Sequence, residues 1–130
     1  MKGAYLISLD QGFFEEIVAV LSAEGAVCAW GQDPMVQLVD GGGRVLTVFG
    51  EYEDRDFLEG PDVVLVPGGE GVVIPDLRAV AVCSVECRWE ELFVEVVGRL
   101  AGRVSAAMWV VDGKDVVWGA GAIDVERVAL

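Results

Sequence analysis

Tyr5-Leu6-Ile7-Ser8 followed by Phe14-Glu15-Glu16-Ile17, and Val80-Ala81-Val82-Cys83 followed by Trp89-Glu90-Glu91-Leu92, are the stretches whose reading decides the fold. Each opens with a short aliphatic and β-branched run, the composition of a strand, and continues into apolar residues at helical spacing. The first helical pattern extends from about Gln11 to Glu24 and puts Phe13, Phe14, Ile17, Val18 and Leu21 on one face. Asp10 is placed to cap its start and Gly25 to stop it. The second extends from about Arg88 to Ala101, gathers Trp89, Leu92, Phe93, Val96, Val97 and Leu100, and ends at Gly102. A single apolar stripe means that each helix lays one side on a sheet. The shared aromatic-Glu-Glu start places both on the same face of it.

Outside the helices the chain reads as strands: Tyr5 to Leu9, Val27 to Trp30, Met35 to Val39, Val45 to Phe49, Val63 to Val66, Val80 to Val85, Ala107 to Val111 and Val116 to Trp118. Gly41-Gly42-Gly43 joins one pair as a hairpin, and Asp112-Gly113 opens the turn of another. Tyr5 aligns with Val80 and Phe14 with Trp89 at one offset of 75, and Leu38-Val39-Asp40-Gly41 echoes Val110-Val111-Asp112-Gly113. That likeness is met either by a tandem β-α-β-β repeat or by the hydrophobic pattern that any two such units share. The expected class is α+β: one domain over residues 1–130, with a largely antiparallel sheet and two amphipathic helices. Its halves span about 4–49 and 79–118, and an irregular acidic connector runs over 50–78.

Charge bounds the function. Asp and Glu number 22 against 9 Lys and Arg, histidine is missing, and the net charge is -13. A surface of this sign repels nucleic acid and anionic membranes and draws basic partners in. Hydrophobic residues make up 54 %, so the acid is displayed around a packed core and does not mark a disordered chain. The apolar run at the N-terminus is too short for a signal h-region, and no stretch reaches the about 18 apolar residues of a membrane span. Cys28, Cys83 and Cys87 are an odd, sparse set that argues against a disulfide framework and for a reducing compartment, so the cytoplasm is the expected location.

Catalysis finds little support in the residues. Without histidine, the usual base of a Ser or Cys nucleophile and the commonest transition-metal ligand are both lost. Cys83 and Cys87 do not have a zinc spacing and no second pair completes a tetrahedral set, so buried thiols are expected. Glu15-Glu16 and Glu90-Glu91 point apart on their helices and read as solvated faces. Pro67-Gly68-Gly69-Glu70-Gly71 follows a strand, yet Val72-Val73-Ile74-Pro75 cannot start the helix that a phosphate cradle needs. The string resembles the strand-Pro-Gly-Gly element of class I amidotransferase-like proteins, but that fold's βα units and nucleophile-elbow cysteine are absent. A glycine-rich turn is the reading adopted. No enzyme activity, cofactor or metal is expected.

Recognition has a better candidate. In the run Glu51-Tyr52-Glu53-Asp54-Arg55-Asp56-Phe57-Leu58-Glu59-Gly60-Pro61-Asp62, six of twelve residues are acidic. Glu51, Glu53, Asp54, Asp56, Glu59 and Asp62 would steer a basic protein partner, with Tyr52 and Phe57 as aromatic anchors. Trp30 and Trp118 are candidates to extend that surface.

A small, acidic α+β protein lacking catalytic residues is similar to the immunity proteins that accompany bacterial polymorphic toxins; the ending Trp109-Val110-Val111-Asp112-Gly113 through Ile123-Asp124-Val125 has their style. The likeness is of general character and transfers no residue roles. It implies a one-to-one inhibitor of a basic cognate toxin, such as a nuclease acting on a polyanion. The alternative is a metal-free small-molecule binder, since tandem β-α-β-β modules are similar to the vicinal-oxygen-chelate (glyoxalase and bleomycin-resistance) fold. A cleft lined by Trp and acids would favour that alternative, and a flat or convex acidic face the inhibitor.

Overall fold

The structure is a computed structural model; it describes residues 2–50 and 56–130, and only the backbone of Asp56 and Phe57. In chain order the elements are β1 (Gly3–Ser8), α1 (Phe13–Ala23), β2 (Val27–Ala29), β3 (Met35–Val39), β4 (Val45–Phe49), α2 (Asp56–Glu59), β5 (Val66–Pro67), β6 (Ala81–Cys87), α3 (Glu90–Ala101), β7 (Met108–Val111) and β8 (Val116–Gly119). The strands form one sheet in the order β2-β3-β4-β6-β1-β7-β8-β5. Every neighbouring pair is antiparallel except β5 with β8. The class is α+β, as the sequence pattern implies.

Alternation along the central strands sorts the core into two layers. Leu6, Cys83, Val85 and Val110 face the helices, where Phe13, Ile17, Leu21, Phe93, Val96 and Leu100 are all essentially inaccessible. Both helices therefore lie on one face of the sheet. Ile7, Val82, Val111 and Val117 point the other way and are covered by Leu58, Leu65, Val72, Ile74 and Leu77. The connector is thus the lid of a second core. It also holds a short helix, α2, that its sequence gives no periodicity to reveal.

Helix ends follow local chemistry. Asp10 sits ahead of the first helix, accepting the Gly12 N–H at its Oδ1 at 2.9 Å and the Phe13 N–H at its carbonyl at 3.2 Å, while the cap position itself belongs to Gly12. At the other end Gly25 has φ of +94°, and the amides of Gly25 and Ala26 donate back to Ser22 and Leu21, each at 3.0 Å. This is a Schellman stop. The expected strand over Val63 to Val66 is instead a two-residue strand, Val66–Pro67, at the border of the sheet, a place that tolerates a proline without an N–H. The flanking amides of Val66 and Gly68 reach Asp115 and Val117.

The sequence echo resolves into two copies of one turn. Asp40 Oδ1 accepts the N–H groups of Gly42 and Arg44 at 2.9 and 2.8 Å, and Asp112 Oδ1 accepts those of Lys114 and Val116 at 2.9 and 3.1 Å. In each loop the third residue is left-handed, Gly43 with φ of 82° and Asp115 with φ of 62°. These are three-residue hairpin loops built on a type I turn. The strands they join are not equivalent, since β3 lies two strands away from β6 while β7 lies beside β1. The halves also interleave: β6 sits between β1 and β4, and β1 between β6 and β7. They do not form two separate modules flanking a cleft, so a tandem repeat gains no support beyond shared turn chemistry.

Asp112 differs from Asp40 in its second oxygen. Oδ2 accepts the indole N–H of Trp118 at 3.0 Å and the Ala129 N–H at 3.1 Å, and the residue is only 4 % exposed. One carboxylate thereby fixes the turn, the core tryptophan and the C-terminal segment. Trp118 is 2 % exposed and packs on Gly68, where a Cβ would come within 2.6 Å of the ring. It is a core residue and does not extend a recognition surface; its apolar ring and internally bonded N–H explain the burial. Asp112→Ala should lower unfolding free energy by about 3 kcal/mol in urea titrations, by stranding the buried Trp118 indole N–H and three part-buried backbone N–H donors. Asp112→Asn should be nearly as harmful, because whichever way its amide turns, an NH2 faces two N–H donors.

Candidate partner-binding surface

Trp30 follows β2 directly, and Gly31, at φ of +143°, turns the chain away from it. Its side chain is 62 % exposed. Phe14, buried in the first turn of α1, meets the indole edge-on with ring centroids 6.0 Å apart and planes at 78°. Gly50 closes the cluster: a Cβ there would lie 2.6 Å from the Phe14 ring, and its N–H donates to the Pro34 carbonyl at 2.9 Å. An exposed tryptophan, a buried phenylalanine beneath it and the residue preceding Glu51 therefore share one corner of the molecule. Gly50 is glycine because the chain leaves the sheet across an aromatic face.

Of the residues expected to bind a partner, Glu51, Tyr52, Glu53 and Asp54 lie outside the described residues, as do the side chains of Asp56 and Phe57. Leu58 is 5 % exposed and anchors the run in the second core, while Glu59 and Asp62 are exposed. The structure thus brings Trp30 to the beginning of the acidic run and shows the end of that run fastened to the sheet. Sequence reading missed the position of β2. Val27, Cys28 and Ala29 are all exposed, and β2 is the last strand on its side of the sheet. No residue within a three-residue strand signals that it is an edge; only the strand order does.

The cations are largely occupied. Arg44 pairs with Asp40 at 2.6 Å, Arg78 with Asp76 at 3.4 Å, and Arg99 with Glu24 at 2.6 Å and Glu95 at 2.9 Å; Lys2 pairs with Glu90. Arg127 lies over the Trp118 ring, 5.2 Å from its centre. The Arg44 N–H and then its guanidinium hold the Asp40 carboxyl below its ordinary value, and Arg78 does the same for Asp76. The Lys2 ammonium lowers Glu90. What remains for the surface is uncompensated negative charge.

One cleft of about 300 Å³ opens along β1 and β6, lined by Lys2, Gly3, Ala4, Tyr5, Ser84, Val85, Glu86 and Gly113. It contains a single carboxylate, a lysine and no tryptophan, which is not the acidic, Trp-lined cleft that a cationic small molecule calls for. Among the described residues no group of three or more Cys, Asp or Glu is arranged to hold a metal ion. Cys83 and Cys87 are buried, as expected, and burial pushes the Cys87 thiol upward while its Sγ approaches the Trp89 carbonyl at 3.4 Å. Among the described residues no helix is long and apolar enough to cross a membrane. No protein-family model, curated protein or solved structure matches the chain.

Two outcomes follow from this geometry. A thiol reagent such as Ellman's should label Cys28 rapidly in the folded protein, and Cys83 and Cys87 only after denaturation. Because Asp40, Asp76 and Glu90 have folded pKa values below their unfolded ones, their stabilisation is complete above about pH 4.5 and is lost as the pH falls through the folded values. Urea midpoints should therefore decline below that pH. The decline should be shallower when the three residues are replaced by Asn, Asn and Gln.

Proposed function

We propose that the protein is a binding module of the immunity type, which neutralises a basic toxin or enzyme by docking an acidic surface on it. The observation that carries this reading is the corner at Trp30. A 62 % exposed indole, held on a buried ring, stands where a run with six acids in twelve residues begins, in a chain of net charge -13. Charge of that density speeds the approach of a basic protein, and a rigid aromatic gives it a place to anchor. Occupied cations elsewhere on the fold leave the steering field uncancelled.

The test is co-expression. The product of the reading frame immediately upstream of this gene should arrest growth when expressed alone in a bacterial host, and this protein should restore it. A harmless product, or toxicity that persists, overturns the reading. In stopped-flow measurements with that product, replacing Glu51, Glu53, Asp54, Asp56, Glu59 and Asp62 by Asn or Gln should slow association by about one to three orders of magnitude at low salt. The loss should shrink as salt shortens the Debye length to about 8 Å. Trp30→Ala should instead speed dissociation, at about 2 kcal/mol. An unchanged association rate would reduce the acidic run to a solubilising feature.

A further inference from the structure

We propose that the open edge of β2 receives an extended, basic segment of the partner as a ninth strand, with Trp30 as its anchor; this rests on the reading of the protein as a binder of basic proteins. β3 occupies one side of β2, and among the described residues no strand pairs with the other. Backbone donors and acceptors on that side are available to an incoming chain. The opposite border of the sheet is treated differently, since β5 is two residues long and carries Pro67. β2 is short as well, at three residues, but Val27, Cys28 and Ala29 include no proline and no charge, and Val27 is 71 % exposed.

The charge pattern selects the occupant. Residues 25–32 contain no Asp, Glu, Lys or Arg, in a chain that is 24 % charged, and they are bracketed by Glu24, which pairs with Arg99, and by the exposed Asp33. A neutral strip between acids, on a molecule of net charge -13, fits a strand whose flanks are Lys or Arg. A second copy fits it poorly. Two copies carry the same net charge of -13, so pairing β2 with β2 would set like-charged molecules against each other. The strip ends at Trp30, whose ring rests on Phe14, the same ring that Gly50 approaches, so the pairing edge and the aromatic anchor adjoin. Three residues of pairing are too few to hold a partner alone, and the exposed indole supplies the missing contact.

The probe is a short capped peptide with an alternating valine-threonine centre and lysines at both ends. Its companions are a twin with glutamates for lysines and a copy N-methylated on the central amides that would pair. Each is titrated into the intact protein, with amide exchange read by NMR. The lysine peptide should bind and slow exchange within residues 27–29. Its acidic twin and its N-methylated copy should each bind at least about tenfold more weakly, the scale of one to two backbone hydrogen bonds. Trp30→Ala should weaken the lysine peptide by a similar factor without shifting the melting temperature. Failure of the lysine peptide to bind overturns the inference, and so does protection of residues 27–29 by self-association in sedimentation. If the N-methylated copy binds as tightly, cations are held without strand addition: the inference fails and the proposed function stands. A harmless upstream product would remove the proposed function while leaving the peptide results as measured.

Discussion

Everything in this fold hangs on the pairing of β1 with β6. Six consecutive residue pairs, from Gly3 with Glu86 to Ser8 with Ala81, join the two halves of the chain at the middle of the sheet. Side chains alternate from this seam into two cores: Leu6 and Cys83 toward the helices, Ile7 and Val82 toward the connector. Because β6 is inserted between β1 and β4, and β1 between β6 and β7, neither half can close its own sheet. Gly3 shows how tight the seam is, since a Cβ there would come within 2.3 Å of the Val85 carbonyl oxygen.

The polar interior serves the same end. Asp112 takes four N–H donors, so amide and indole dipoles offset its charge. The arginines are used elsewhere: Arg99 reaches from α3 to Glu24 at the end of α1 and locks the helical layer. Among the described residues, Lys2, Arg44, Arg78, Arg99 and Arg103 are committed to ion pairs with the protein's own acids. Each such pair neutralises one acid as well as one base, and the excess of acids over bases, a net charge of -13, is what draws cations to the exterior.

The helices and most strands were legible because their side chains repeat with a clear period and their ends carry glycine or aspartate. Met35–Val39 and Val45–Phe49 fall where alternation put them. What local pattern cannot reveal is strand order, because it is decided by contacts between residues far apart in the chain. So the edge position of β2 and the covering role of Leu65, Val72, Ile74 and Leu77 emerge only in three dimensions. Trp118 was misread for the same reason. A tryptophan near a hairpin end looks surface-exposed until Gly68 and Asp112 enclose it. Of the acidic run, Leu58, Glu59 and Asp62 take definite places, and Trp30 meets Gly50, the residue before that run, through the Phe14 ring, as spacing alone could not show.

The central seam has a consequence for how the chain is made. β1 pairs with residues 73 to 83 positions further on, so its partner does not exist when it leaves the ribosome. At roughly 5–20 residues per second, β1 waits on the order of 4–16 s for β6. The hairpins β3–β4 and β7–β8, closed by their aspartate turns, assemble within microseconds of emerging. During the interval Leu6 and Ile7 have no strand to pair with, and the growing chain exposes an apolar strand of the kind that chaperones hold. The acidic surface that suits a basic partner in the finished protein also keeps unfinished copies apart, because nascent chains of like charge repel one another on a crowded polysome.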